Sequence, residues 1–121
     1  MRGQKTQPDR KKKYICMYKS IDKIVIPLQF EWDEAKRHSN IEKHGIDFYD
    51  AISLFDQFCV FSSLSYSQER RFKAIGMLGT IEIALIFTIR GKYTRLISAR
   101  RARLNERKEY HARNLRGSAI H

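Results

Sequence analysis

A chain of 121 residues with 42% hydrophobic side chains can build one core and no second, so one small domain is expected. Its formal charge of +11 excludes an acidic or neutral surface, and no apolar run approaches the roughly 18 residues of a membrane-spanning helix. The cations crowd the two ends: residues 1–29 carry eight Lys/Arg against two acids and residues 90–121 ten against two, while residues 30–89 carry six against nine, a pattern that favours a nucleic-acid footprint over diffuse solubilising charge.

Residues 1 to about 13 are polar and basic without apolar periodicity, which predicts a disordered tail whose Lys11-Lys12-Lys13 could touch phosphate. This N-terminus lacks the apolar stretch of a secretory signal. Tyr14–Ile26 is mildly apolar and could add an edge strand. Residues 1–27 are therefore expected to be a partly disordered basic extension, residues 28–116 the domain, and residues 117–121 a tail. Cys16 and Cys59 make no disulfide framework and have no metal-ligand spacing; the cytoplasm is the expected compartment.

Leu28–Trp32 predicts a short strand. Asp33 is a good N-cap for a helix running to His44, and Gly45 supplies the left-handed stop. Asp47 caps a second helix whose Phe48, Ala51, Ile52, Leu54 and Phe55 recur near a 3.6 period. Strands are then predicted at Phe58–Phe61, about Arg70–Gly76, Ile81–Ile89 and Tyr93–Ala99. The third of these is almost wholly apolar and belongs mid-sheet. From about Arg101 to Arg113 the chain reads helical. The expected class is α+β: a small antiparallel sheet with two N-terminal helices and a C-terminal one, in the order β-α-α-β-β-β-β-α.

Three groups of residues could carry chemistry. Arg95–Arg103 delivers a cluster of arginines where a strand runs into a helix, and arginine forks match phosphate oxygens. Strict alternation sets Arg95 and Arg100 on opposite strand faces, so both reach one phosphate only if the strand twists or ends between them. On the helix, Arg100, Arg103, Arg107 and Tyr110 fall on one stripe, where the arginines could hold RNA and Tyr110 stack on an unpaired base. The alternative is a solvated face with Glu106 and Glu109 in local ion pairs. Glu69 and Arg71 share a strand face and suit either an ion pair, which spacing alone favours, or an acid/base group beside a phosphate clamp. Lys43-His44-Gly45 ends the first helix, where the negative end of the dipole suits a histidine to donate a proton; a histidine bonded to free helix-end carbonyls is the structural alternative.

There is no P-loop and no GxGxxG, and the carboxylate pairs Glu31/Asp33 and Asp47/Asp50 read as helix-start charges and caps. Neither metal nor cofactor is implied. Phosphodiester cleavage would then use the 2′-hydroxyl of RNA as nucleophile, leaving proton transfer and charge stabilisation to Arg, Lys, His and Glu. A basic RNA- or DNA-binding module that does not cut is the alternative.

These residues also resemble a known family. Phe30-Glu31-Trp32-Asp33-x-Ala35-Lys36, then Asn40-x-x-Lys43-His44-Gly45-Ile46-x-Phe48-x-x-Ala51, resembles the opening signature of BrnT-type toxins. Glu69-x-Arg71-Phe72-x-Ala74-Ile75-Gly76, Arg95-x-Ile97-Ser98-Ala99-Arg100-x-Ala102 and Glu106-x-x-x-Tyr110 follow in the same order, so the likeness covers about residues 30–111. Gln68 stands where the family pattern has glycine. The resemblance implies a RelE-like fold and a ribonuclease toxin of a type II toxin–antitoxin system that arrests translation. It implies as partner a ribbon-helix-helix antitoxin, BrnA-like, in a heterotetramer built on an antitoxin dimer that binds operator DNA. It also makes Lys43, His44, Glu69, Arg71, Arg95 and Arg100 candidate catalytic residues.

Overall fold

The computed structural model describes residues 2–5, 25–64 and 68–119. The chain runs β1 (Arg2–Lys5), β2 (Phe30–Asp33), α1 (Glu34–His44), α2 (Phe48–Ala51), a 3-10 turn (Ile52–Asp56), β3 (Val60–Leu64), β4 (Arg71–Leu78), β5 (Ile81–Arg90), β6 (Tyr93–Arg101) and α3 (Leu104–Ala119). The α+β class is as expected, but the order differs. β1 precedes the strand predicted to come first, and the second helix tightens after Ala51 into a 3-10 turn. Arg2–Lys5, expected in a disordered tail, pair antiparallel with β2; a strand edge needs only backbone groups, so apolar periodicity does not announce it. Residues 14–24 of the expected Tyr14–Ile26 strand lie outside the described residues, as do Cys16 and Lys11–Lys13.

The sheet order is β1-β2-β6-β5-β4-β3, with β2–β6 as its five main strands and β1 on the edge. It is mixed rather than antiparallel, because β2 runs parallel to β6 with Phe30 opposite Thr94 and Glu31 opposite Arg95. The α1–α2 crossover between the sheet's edge and the β3–β6 meander makes that parallel pairing possible. Among the described residues no helix is long and apolar enough to cross a membrane.

Local signals set the helices. The Asp33 carboxylate accepts from the Ala35 N–H at 2.8 Å, and Gly45 ends α1 at φ 71°. Asp47 caps α2 by accepting from the Tyr49 N–H at 3.0 Å. Helices α1 and α2 and the 3-10 turn cover one sheet face, burying Phe30, Trp32, Phe72, Leu85, Phe87, Leu96 and Ala99 against Phe48, Leu54 and Phe55. Gly76 permits the close approach of the turn, since a Cβ there would lie 2.9 Å from Leu54 Cγ. Helix α3 packs on part of the other face, where Tyr110 and Ala102 meet Val60 and Ile75. β5 lies mid-sheet with one face in the core, and on its other face Ala84 and Thr88 are buried and Ile86 half-buried, which accommodates its apolar run.

Asn40 is the one buried residue of α1. Its amide donates to the carbonyls of Ala99 and Ile46, each at 2.9 Å, and accepts from the Ala99 N–H at 3.1 Å. β2 pairs with β6 only near Thr94 and Arg95, so further along β6 the Asn40 side chain replaces the missing strand. Asn40→Leu strips three backbone groups of their partner and is expected to destabilise the fold by about 2 kcal/mol, read by urea denaturation.

Candidate nucleic-acid interface and active site

The geometry of β6 turns on one extra residue. Ile86 of β5 pairs with Ser98 and Phe87 pairs with Leu96, which leaves Ile97 bulged. A bulge shifts the phase of the side chains that follow it. Leu96 and Ala99 both enter the helix-covered core, so their neighbours Arg95 and Arg100 both project from the opposite face. The register agrees: Arg95 lies across from Thr88 and Arg100 across from Ala84, positions of equal parity on β5. The strict alternation expected from sequence is corrected here. The two arginines share a face.

Arg71 joins them on β4, one step beyond the Phe72–Phe87 pair and thus beside Thr88. Across this end of the sheet, Arg71, Thr88, Arg95 and Glu31 form a row. Arg95 Nη1 lies 3.2 Å from a Glu31 carboxylate oxygen, with the arginine side chain 15% exposed. That nitrogen is buried without a hydrogen bond. Glu31 is therefore no helix-start charge, as expected from sequence, but a buried partner of Arg95.

Glu69 stands just before β4, and Arg90 donates to it from Nε at 2.8 Å and Nη2 at 3.3 Å. Those bonds lower the Glu69 pKa, with burial opposing and the charges of Arg71 and Arg95 adding to the effect. Glu69 thus lies within electrostatic reach of both arginines, but its hydrogen-bonded arginine is Arg90, which sequence reasoning did not single out.

A second knot holds Arg100. Its Nη1 and Nη2 donate to the two Glu106 oxygens at 2.8 and 3.0 Å, Lys73 Nζ donates at 2.8 Å, and the Arg103 N–H at 2.8 Å. Glu106 is only 3% exposed. Burial resists its ionisation, yet the bonds from Arg100, Arg103 and Lys73 prevail and hold its pKa at about 2. Glu106 is a buried hub rather than one of the solvated ion pairs offered as an alternative. Lys73 was also missed, although period-two alternation from Arg71 places it on the same face.

The expected helical stripe is not formed. α3 begins at Leu104, so Arg100 belongs to β6 and lies off the helix. Tyr110 is 4% exposed and packs 5.5 Å from the Phe58 ring centroid, so its ring faces the core and is closed to a base. Arg103 is exposed, and Arg107 is half-buried with Nη1 donating to the Ala102 carbonyl at 3.5 Å.

Lys43 and His44 are exposed at the end of α1. With Lys36, Ser39, Ile97 and Ser98 they line a cleft of about 230 Å³ beside β6, past the end of β2. Ser98 pairs with Ile86, which in turn pairs with Lys73. Ser98 is therefore the residue that the cleft shares with the register row running to Lys73. Among the described residues, no three of His, Cys, Asp and Glu converge as a metal site would require.

Chemically, one sheet face offers Arg71, Lys73, Arg95 and Arg100, with Arg90 at its margin, against the carboxylates of Glu31, Glu69 and Glu106. Each carboxylate orients a cation before any ligand arrives, and such preorganised donors are what stabilise charge developing on a phosphate. No curated protein matches the chain. Residues 32–106 match the model of a family described as ribonuclease toxin, BrnT, of type II toxin-antitoxin system.

Proposed function

Because the chain belongs to the BrnT family of ribonuclease toxins of type II toxin–antitoxin systems, we propose that it is a metal-independent endoribonuclease whose active site is the cationic sheet face beside the Lys43–His44 cleft. The observation that carries this reading is the bulge at Ile97, which brings Arg95 and Arg100 to the face of Arg71. The domain spans residues 28–116 in this reading, with the RelE-like class that the sequence resemblance implies.

Arg71 and Arg95 bind the scissile phosphate. Arg100 adds its charge and the N–H groups that Glu106 leaves open. The 2′-oxygen attacks phosphorus as Glu69 or Lys43 takes its proton. The bond to the 5′-oxygen breaks as His44 supplies a proton to it. Arg103 and Arg107, at the start of α3, hold flanking RNA by charge. The products are a 2′,3′-cyclic phosphate and a 5′-hydroxyl, and loss of cellular RNA by this route stops translation in the cytoplasm.

A type II toxin has an antitoxin partner. Here the partner is a ribbon-helix-helix protein of the BrnA kind whose dimer carries two toxin chains and the operator-binding surface. Its presence on the cationic face would silence the enzyme by covering its arginines.

Cleavage of RNA by the purified protein is expected to persist in excess EDTA and to leave 2′,3′-cyclic phosphate ends, read by end-specific ligation. Cleavage that requires added magnesium would overturn the mechanism. RNA binding without any cleavage would favour the non-catalytic basic module instead.

A further inference from the structure

The cleft at the bulge has a composition that the cleavage chemistry does not use up. Its volume of about 230 Å³ falls below the roughly 300–1,000 Å³ of sites for drug-sized ligands and suits one planar base. Ile97 supplies an apolar wall, and Lys36, Ser39 and Ser98 supply polar groups that the proposed reaction leaves idle. We propose that this cleft is a base-recognition subsite for one nucleoside of single-stranded RNA next to the scissile phosphate. The inference rests on the nuclease reading for its location and deepens it by naming the base.

Three observations carry it. Ser98 belongs both to the cleft and to the row that continues across the sheet through Ile86 to Lys73, so a nucleotide seated there extends its backbone onto the arginine face. The cleft opens where β2 no longer covers β6 and the Asn40 amide bonds the strand at Ala99, so its β6 wall is held from behind. Its lysine ammonium groups can only donate, whereas its serine hydroxyls can do either.

A lysine donor set against one edge position selects among bases. Unpaired bases are read through hydrogen bonds at their edges. At one edge position guanine O6 and uracil O4 accept, whereas adenine N6 and cytosine N4 are amino donors. Lys36 can satisfy the first pair at that position and would face the amino group of the second. The cleft therefore favours guanosine or uridine over adenosine or cytidine.

Uridine and cytidine are nearly the same shape, so they isolate the donor–acceptor term. Binding is measured by fluorescence anisotropy with 2′-fluoro hexanucleotides, which lack the attacking hydroxyl and survive uncut. The expected result is about tenfold tighter binding of the uridine oligomer, the low end of what a good base contact contributes. The double variant Lys36→Ala, Ser39→Ala alters only exposed positions of α1, and its melting curve checks that it is folded. It should bring the two oligomers within about twofold of each other. Equal affinities in the unaltered protein, or a preference that survives the double variant, would overturn the subsite. A protein that prefers uridine yet cuts no RNA loses the nuclease reading and keeps the subsite; one that cuts but does not discriminate loses the subsite alone.

Discussion

RNA cleavage is expected to fall about 100- to 1000-fold when Arg71 becomes glutamine, the usual cost of removing one charged donor from developing transition-state charge. RNA affinity should change only a few-fold, because Lys73, Arg90, Arg95 and Arg100 still hold the strand. Arg71 is the informative position because it sits on β4 beside Thr88, in the row that continues to Arg95, where a donor can meet the phosphate. Single-turnover rates with excess enzyme separate the chemical step from binding. A protein that only occludes RNA would behave otherwise. The same substitution would weaken its binding and reduce the salt dependence of that binding by about one counterion's worth, with no cleavage rate to lose. Equal falls in affinity and rate would count against Arg71 as a group that acts in the transition state.

The second large effect concerns stability. Glu106→Gln keeps the shape of the hub and removes its charge, leaving Arg100 and Lys73, each with an 18% exposed side chain, without a counterion. The folded-state pKa of Glu106 is about 2 against an ordinary 4.5. A carboxyl depressed in the folded state contributes stability above its unfolded pKa and loses it as pH falls through the folded one. At neutral pH the contribution is on the order of 3 kcal/mol, so the variant should melt roughly 12 °C or more below the parent. The gap between the two proteins should close as pH drops from about 4.5 towards 2. A gap that holds constant through that window would show that the hub does not depend on the Glu106 charge.

Much of this molecule is legible in its sequence where the signal is local. Asp33, Gly45 and Asp47 mark their helix ends by chemistry that acts within a few residues, and the structure places caps at all three. The apolar run of β5 announces a central strand because it lies between β4 and β6 with little of either face open to water. Signals that depend on a partner strand are silent. Nothing in Leu96-Ile97-Ser98 announces a bulge, which exists only relative to the register of β5, and so alternation alone sent Arg95 and Arg100 to opposite faces. The parallel pairing of β2 with β6 and the strand at Arg2–Lys5 are hidden for the same reason. Helical spacing misled at Tyr110, because a stripe counted from Arg100 assumes a helix that begins only at Leu104. Lys73 was within reach, two residues beyond Arg71 on a predicted strand, and Glu106 shows itself as a hub only once Arg100, Lys73 and the Arg103 N–H surround it.

The junction of β2 with β6 has a consequence for the order in which the protein is made. Glu31 is among the earlier residues to leave the ribosome, yet its partner Arg95 is translated more than sixty residues later, and the Glu106 that fixes Arg100 later still. Domains fold as units during synthesis, and contacts of such long range close last. A nascent chain stopped before Glu106 has most of the cations but lacks the carboxylate that fixes Arg100 and Lys73. The cationic face is therefore completed only when nearly all of the described fold has emerged.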